Sequence, residues 1–390
     1  MAAHNRRYDI DWLRVIAIGL LLIYHVAIGF QPWGVFIGFI QSSSPLESIW
    51  VPMSMLNVWR IPLLFFVSGM GVYFAIHNRS WKHLLIERSK RILVPFLFGM
   101  VAIVPLHILL WQYFYQQDLT YNAHPGHLWF LGNICVYVVI FTPLFFYLKK
   151  HQDRIKPMVE MLFKTPLGLL LLMVPFVIEV ELVAPENFEL YAQTMHGFWI
   201  GMIAFVTGFF CVYAGEAFWK LTSTWRWPLL ILAAILYASR IVFFELKSPD
   251  YLMAVESCVW VFTVFGFARK HLNRNSKTLQ YLSQAAYPVY IVHMIYIYLG
   301  SVLLFESALP VGVQLIALTL FTFAGSMGTY ELLIRRIRLL RPLFGLKNDR
   351  VLQPHFPNSP ELKETKVPEM LRAGLFTPDQ EKAQNTLDKD

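Results

Sequence analysis

Residues 12–30 read Trp12-Leu-Arg14-Val-Ile-Ala-Ile-Gly-Leu-Leu-Leu-Ile-Tyr24-His25-Val-Ala-Ile-Gly-Phe30. This is an apolar stretch of membrane-span length that nevertheless keeps an arginine and a histidine. The ten residues between Arg14 and His25 carry no charge. A charge near the bilayer centre costs roughly 2.5–3.5 kcal/mol on insertion scales, so such residues usually face a polar interior and mark a functional path. Eleven positions at about 100° each make about three helical turns, which puts both side chains on one face, about 16 Å apart. From the pair alone two readings stay open. In one, Arg14 snorkels to the headgroups and His25 packs as a neutral core imidazole; in the other, both line a functional interior.

The rest of the chain shares this character. Of 390 residues, 56% are hydrophobic, 16% aromatic and only 15% charged, which excludes an ordinary soluble domain and predicts an all-α polytopic membrane protein. Apolar windows at 12–30, 50–76, 92–115, 128–148, 166–184, 195–214, 228–245, 251–268, 281–304 and 311–333 predict ten transmembrane helices. Basic residues follow the even-numbered spans: Arg79, Lys82, Arg88, Lys90 and Arg91; Lys149, Lys150, Arg154, Lys156 and Lys164; Arg269, Lys270, Arg274 and Lys277; Arg335, Arg336, Arg338 and Arg341. The loops 31–49, 116–127, 185–194 and 305–310 contain no Lys or Arg, and 246–250 contains only Lys247.

By the positive-inside rule the basic loops and both termini are cytosolic. Two cytosolic termini require an even number of spans, as counted. The net charge of +8 is therefore read as a topology signal, and no nucleic-acid partner is expected. Arg6 and Arg7 before an apolar run imitate a secretion signal, but the run is too long and lacks a small-x-small cleavage site, which predicts a retained first span. Cys135, Cys211 and Cys258 are odd in number and have no metal-ligand spacing, so neither a disulfide framework nor a metal site is expected. The membrane-embedded domain is expected to cover 1–346. From 347 to 390 the composition turns to Pro, Asn, Lys and Glu, which predicts a cytosolic, largely disordered tail.

Further polar groups recur along the spans. Arg60 stands midway through the second span, too deep to snorkel easily. Ser68 and Gly69 follow it; small residues there point to close helix packing, with a substrate contact through Ser68 as the alternative. Arg88 and Arg91, at i and i+3 on the cytosolic lead-in to the third span, read either as positive-inside anchors or as a guanidinium pair that clamps phosphate. His127 and Trp129 open the fourth span from the outer side, where an aromatic belt is expected in any case. His293 lies in the ninth span beyond Pro288, a residue that frees backbone groups to be satisfied within protein or by water. Glu256, in the outer part of the eighth span, and Glu331, at the inner end of the tenth, read equally as site residues or as counter-ions for an intramembrane arginine.

Taken in order, Arg14 to His25, Phe-Phe-Val-Ser-Gly at 65–69, Arg88-x-x-Arg91 before Pro95, His-Leu-Trp-Phe-Leu at 127–131 and Tyr-Ile-Val-His at 290–293 resemble the acyltransferase 3 family, integral membrane enzymes that acylate carbohydrates. Asp11, Arg60 and the run from Tyr330-Glu331-Leu332 to Leu340-Arg341-Pro342-Leu343-Phe344 look closest to its OpgC glucan-biosynthesis branch, associated with succinylation of periplasmic glucans. Arg335, Arg336 and Arg338 depart from that branch.

The resemblance implies a bacterial plasma (inner) membrane enzyme with no bound cofactor. Acyl-CoA, as acetyl-CoA or succinyl-CoA, would be the co-substrate. The partners would be that donor, a carbohydrate acceptor on the outer side and membrane lipids, with a homodimer left open. Under this reading Arg88 and Arg91 hold the donor phosphates, the pantetheine arm runs past Arg14, and His25 acts as general base. Arg60, or His293 if protonated, stabilises the oxyanion. Ser68, His127, Trp129, Glu256 and Glu331 line the substrate path. Direct transfer and an acyl-His25 relay are both open. The rival class is a polysaccharide or lipid-linked sugar transporter, since buried Arg, His and Glu also mark substrate paths; no inverted repeat supports it.

Overall fold

The computed structural model describes residues 7–77 and 79–347. Its helices are α1 Tyr8–Ile28, α2 Trp50–Ile76, α3 Trp81–Phe114, α4 Trp129–Lys150, α5 Gln152–Leu162, α6 Leu167–Val183, α7 Met195–Tyr213, α8 Glu216–Phe244, α9 Asp250–His271, α10 Lys277–Leu304, α11 Val311–Ile334 and α12 Leu340–Leu343. No strand occurs among the described residues. In hydrocarbon an extended segment would leave its peptide groups without partners, whereas a helix satisfies them within itself. Of the tail expected over 347–390, all but Lys347 lies outside the described residues.

Nine helices among the described residues are long and apolar enough to cross a membrane. The remaining candidate, α6, has 17 residues, about 26 Å at 1.5 Å per residue, the short end of span length. It meets α5 at 96°. No residue of α5 is buried, and with Asp153, Arg154, Lys156 and Glu160 it reads as an amphipathic helix along the basic surface. The loop charges require α6 to cross, because α4 ends on Lys149 and Lys150 whereas α7 follows a loop without Lys or Arg. Two spans start more than ten residues before their apolar windows. The third begins at Trp81 and so carries Arg88 and Arg91 on helix, and the seventh begins at Glu216.

The hub is α2, whose most apolar window is 78% buried, against 17% for α8 and 22% for the α11 span. Small residues make that burial possible. A Cβ on Gly69 would lie 1.8 Å from the Phe205 carbonyl oxygen, and one on Gly208 would lie 2.0 Å from that of Phe66. The α2 and α7 backbones therefore touch, as the packing reading of Ser68-Gly69 expects. At the basic end of α2, Lys149 Nζ donates to the Ile76 carbonyl at 2.7 Å, which serves one of the acceptors a helix C-terminus leaves open.

Helix α3 contains two π-helical segments, Ser89–Leu93 and Gly99–Ile103, each followed closely by a proline, Pro95 and Pro105. Proline has no N–H to offer the carbonyl four residues back. For Pro105 that carbonyl belongs to Val101, and the Tyr121 hydroxyl donates to it at 2.9 Å. A Cβ on Gly99 would meet Leu128 Cδ1 at 2.2 Å, with Ile291 next to it. The second π segment thus lies directly against the elements that carry His127 and His293.

Candidate active site

His25 lies on the last turn of α1 and His293 midway along α10, 268 positions away, yet His25 Nδ1 and His293 Nε2 are 2.9 Å apart. Their rings are nearly parallel, 6° between planes. His293 Nδ1 is 2.6 Å from the Tyr290 carbonyl oxygen. A carbonyl only accepts, so the His293 proton sits on Nδ1. With both rings neutral, His293 Nε2 is then bare and accepts from His25 Nδ1–H. His25 Nε2 is left as an unprotonated lone pair. His293 is fully buried, His25 is the less buried residue of the pair, and it is the His25 ring that carries the free nitrogen.

Two more imidazoles continue the row. His127 packs edge-on to His293 at 5.1 Å between ring centroids, and His107 packs against His127 at 5.6 Å. A local turn presents His127: Gly126 takes φ +48°, and its N–H donates to His124 Nδ1 at 3.0 Å. The Tyr290 hydroxyl donates to the His127 carbonyl at 2.6 Å, and His127 Nε2–H donates to the Ile291 carbonyl at 3.1 Å. No three His, Cys, Asp or Glu side chains among the described residues are placed to hold one metal ion.

Arg60, 2% exposed, supplies a positive charge next to this row. Its guanidinium lies 3.8 Å over the Tyr24 ring, a cation–π contact, and Nη2 reaches Asn57 Oδ1 at 3.5 Å. Arg60 Nε and Nη1 have no hydrogen-bond partner among the described residues. His25 lies within its electrostatic reach.

Behind Arg60 is a buried ion network. Arg240 pairs with Glu189 at 2.9 Å and with Glu256 at 3.0 Å, and donates to the Ser54 carbonyl at 3.2 Å. Asn57 Nδ2 contacts Glu189 Oε2 at 3.3 Å, linking the network to Arg60. Burial pushes the Glu189 carboxyl up from its ordinary value, while the Arg240 charge and the Asn57 amide pull it down.

The basic end holds a second cationic group. Arg88 Nη2 donates to the Gly71 carbonyl at 2.9 Å, and Arg14 Nη2 lies 3.8 Å from where a Gly71 Cβ would be. Arg14, Arg79 and Arg91 all act on the Arg88 charge. Asp11 stands 3.8 Å from Arg14, and Glu87 pairs with Arg79 at 2.8 Å and Arg91 at 3.4 Å. Positive charge therefore exceeds negative where α1, α2 and α3 meet.

Comparison with known families matches residues 7–331 to the acyltransferase domain of the acyltransferase 3 type. The chain belongs to the acyltransferase 3 family. Comparisons with curated proteins and with solved structures give no match.

The acyltransferase gathers its expected site residues into separate groups. His25, His293, His127 and Arg60 converge, whereas Arg14, Arg88 and Arg91 form the group at the basic end. Arg14 touches Asp11 and the Gly71 region and stays about three helical turns from His25. Arg88 and Arg91 do not act as one fork: Arg88 turns inward to α2, and Arg91 pairs with Glu87. Trp129 packs against Phe65 at 6.1 Å. Ser68 spends its hydroxyl on the Leu64 carbonyl of its own helix at 2.8 Å. Glu256 is the counter-ion of Arg240. Glu331 pairs with Arg335 at 2.8 Å and accepts from the Tyr281 hydroxyl at 3.1 Å. Glu256 thus has an intramembrane arginine as its counter-ion, whereas the partner of Glu331 lies just beyond the end of the span.

The sequence reading does not single out His107 or Arg240, although each is a polar group inside an apolar span, the criterion that marks Arg60. Asn57 meets that criterion without a charge, and Tyr24 gives no such signal. Their part depends on which helix faces them.

Proposed function

We propose that this acyltransferase moves an acyl group from acyl-CoA, entering at the basic side, to a hydroxyl of a cell-envelope carbohydrate, with His25 as general base. The observation that carries the reading is the chain from the Tyr290 carbonyl through His293 to His25, which leaves His25 Nε2 bare with the Arg60 charge within electrostatic reach of the His25 ring.

On this reading His25 Nε2 takes the acceptor's proton as its oxygen bonds to the thioester carbon. The oxyanion that forms faces Arg60 Nε and Nη1, where preorganised donors in a dry site have their largest effect. Collapse breaks the carbon–sulfur bond, and the His25 imidazolium returns the proton to the departing thiolate, giving the ester and CoA thiol. His293 has both ring nitrogens engaged, which moves it from the oxyanion side to the base side. There it holds the His25 tautomer and takes a share of the imidazolium proton. Arg14, Arg88 and Arg91 neutralise donor phosphates at the basic end, and a polar path between helices admits the pantetheine arm.

The motif pattern favours an acetyl or succinyl donor, a glucan-type acceptor and a bacterial plasma membrane. His25→Ala, at unchanged membrane abundance, is expected to cut acyl transfer by about 10² to 10⁴ and to remove the acyl mass from exported glycans in mass spectra. Acylation retained at the normal level would overturn the role given to His25.

A further inference from the structure

Three buried nitrogens without a partner among the described residues lead away from the catalytic pair: His127 Nδ1, His107 Nδ1 and Trp111 Nε1. An unpaired buried polar atom costs about 1–3 kcal/mol, so three along one row leave hydrogen-bonding capacity that a polar ligand entering between the helices would satisfy. The hydrogen bond from His127 Nε2–H to the Ile291 carbonyl leaves His127 Nδ1 a lone pair that can only accept. His107, 4% exposed, lies between the His127 ring and the Tyr298 ring, the latter at 4.9 Å. Trp111 is one turn further along α3 on the same face, packed on Tyr115 at 4.9 Å. Its indole N–H can only donate. This face of α3 runs toward the loop 116–127, which contains no Lys or Arg.

The electrostatic neighbours of His107 are two further imidazoles, His124 and His127. The row therefore offers acceptors, a donor and aromatic faces rather than a strong charge. A sugar hydroxyl both donates and accepts, and a pyranose ring presents an apolar face to aromatic side chains. We propose that His107, His127 and Trp111 form an acceptor subsite that binds further hydroxyls of an uncharged polyhydroxylated acceptor, while the reacting hydroxyl lies at His25. The proposal rests on the acyl-transfer reading and adds the residues that select the acceptor.

The test uses the full-length protein in nanodiscs, with a neutral glucose hexasaccharide and 1-propanol as alternative acceptors. His107→Phe keeps an aromatic ring against Tyr298, and Trp111→Phe removes only the N–H and part of the ring. Each is expected to lower kcat/KM for the hexasaccharide relative to 1-propanol by about tenfold, through KM of the saccharide. An equal loss for both acceptors would overturn the subsite, as would a loss confined to KM of the acyl-CoA donor. Direct titration of the hexasaccharide without donor separates this proposal from the acyl-transfer reading. Weaker binding by both variants supports the subsite even if no acyl-CoA is turned over, and unchanged binding overturns it even if transfer is robust.

Discussion

Arg60 and Arg240 are both buried arginines in a membrane domain, and their surroundings are opposite. Arg240 meets two carboxylates and a carbonyl. Arg60 has the Tyr24 side chain, one long contact to an amide oxygen and two nitrogens, Nε and Nη1, without hydrogen-bond partners among the described residues, and Glu189 acts on it only through space. A buried charge persists cheaply only when it is paired. Arg240 therefore belongs to the framework that joins α2, α8, α9 and the 185–194 loop, while Arg60 keeps hydrogen-bonding capacity that the described residues do not use.

The largest test of this contrast is Arg240→Met, which strands Glu256 and Glu189. It should destabilise the protein by about 3–5 kcal/mol, read as lost abundance or a lower melting temperature in detergent. Adding Glu256→Met should recover part of that loss, since it removes the more deeply buried of the two stranded carboxylates and leaves Glu189. Arg60→Met should do the reverse. Melting stays level or rises, because a buried charge with no carboxylate in direct contact is removed, and kcat falls by about 10² to 10³, as for loss of one oxyanion donor. Equal melting losses in the Arg60 and Arg240 variants would break the comparison. The smallest effect is expected from Arg335→Gln. The Glu331–Arg335 pair is i,i+4 and partly exposed, with side chains 35% and 29% accessible, so the change in stability should stay below about 0.5 kcal/mol. A larger loss would show that the basic end of α11 carries more of the framework than its exposure suggests.

The span pattern is legible because length and hydropathy act locally. The α1 and α2 windows, 12–30 and 50–76, agree closely with the helices found, and the uncertain crossing is the short α6. Charge placement is legible for the same reason. The start of α3 is not, because Arg88 and Arg91 interrupt the apolar run although the helix continues through them. For single residues, the sequence says that Arg60, His25 and His293 are costly to bury, but not what each meets. His293 shows this best: its ring meets the His25 ring and the Tyr290 carbonyl, and neither contact can be read from the motif.

From the sequence alone came the all-helical membrane architecture, the alternation of basic and non-basic loops and the distance that keeps Arg14 away from His25, because hydropathy, charge and helical rise are properties of a chain read along its length. Tertiary structure alone decided which buried arginine is paired, which histidine nitrogen is bare and which glycines let α2 and α7 touch. Those outcomes depend on side chains that lie up to 268 positions apart in the chain and meet only when the helices pack.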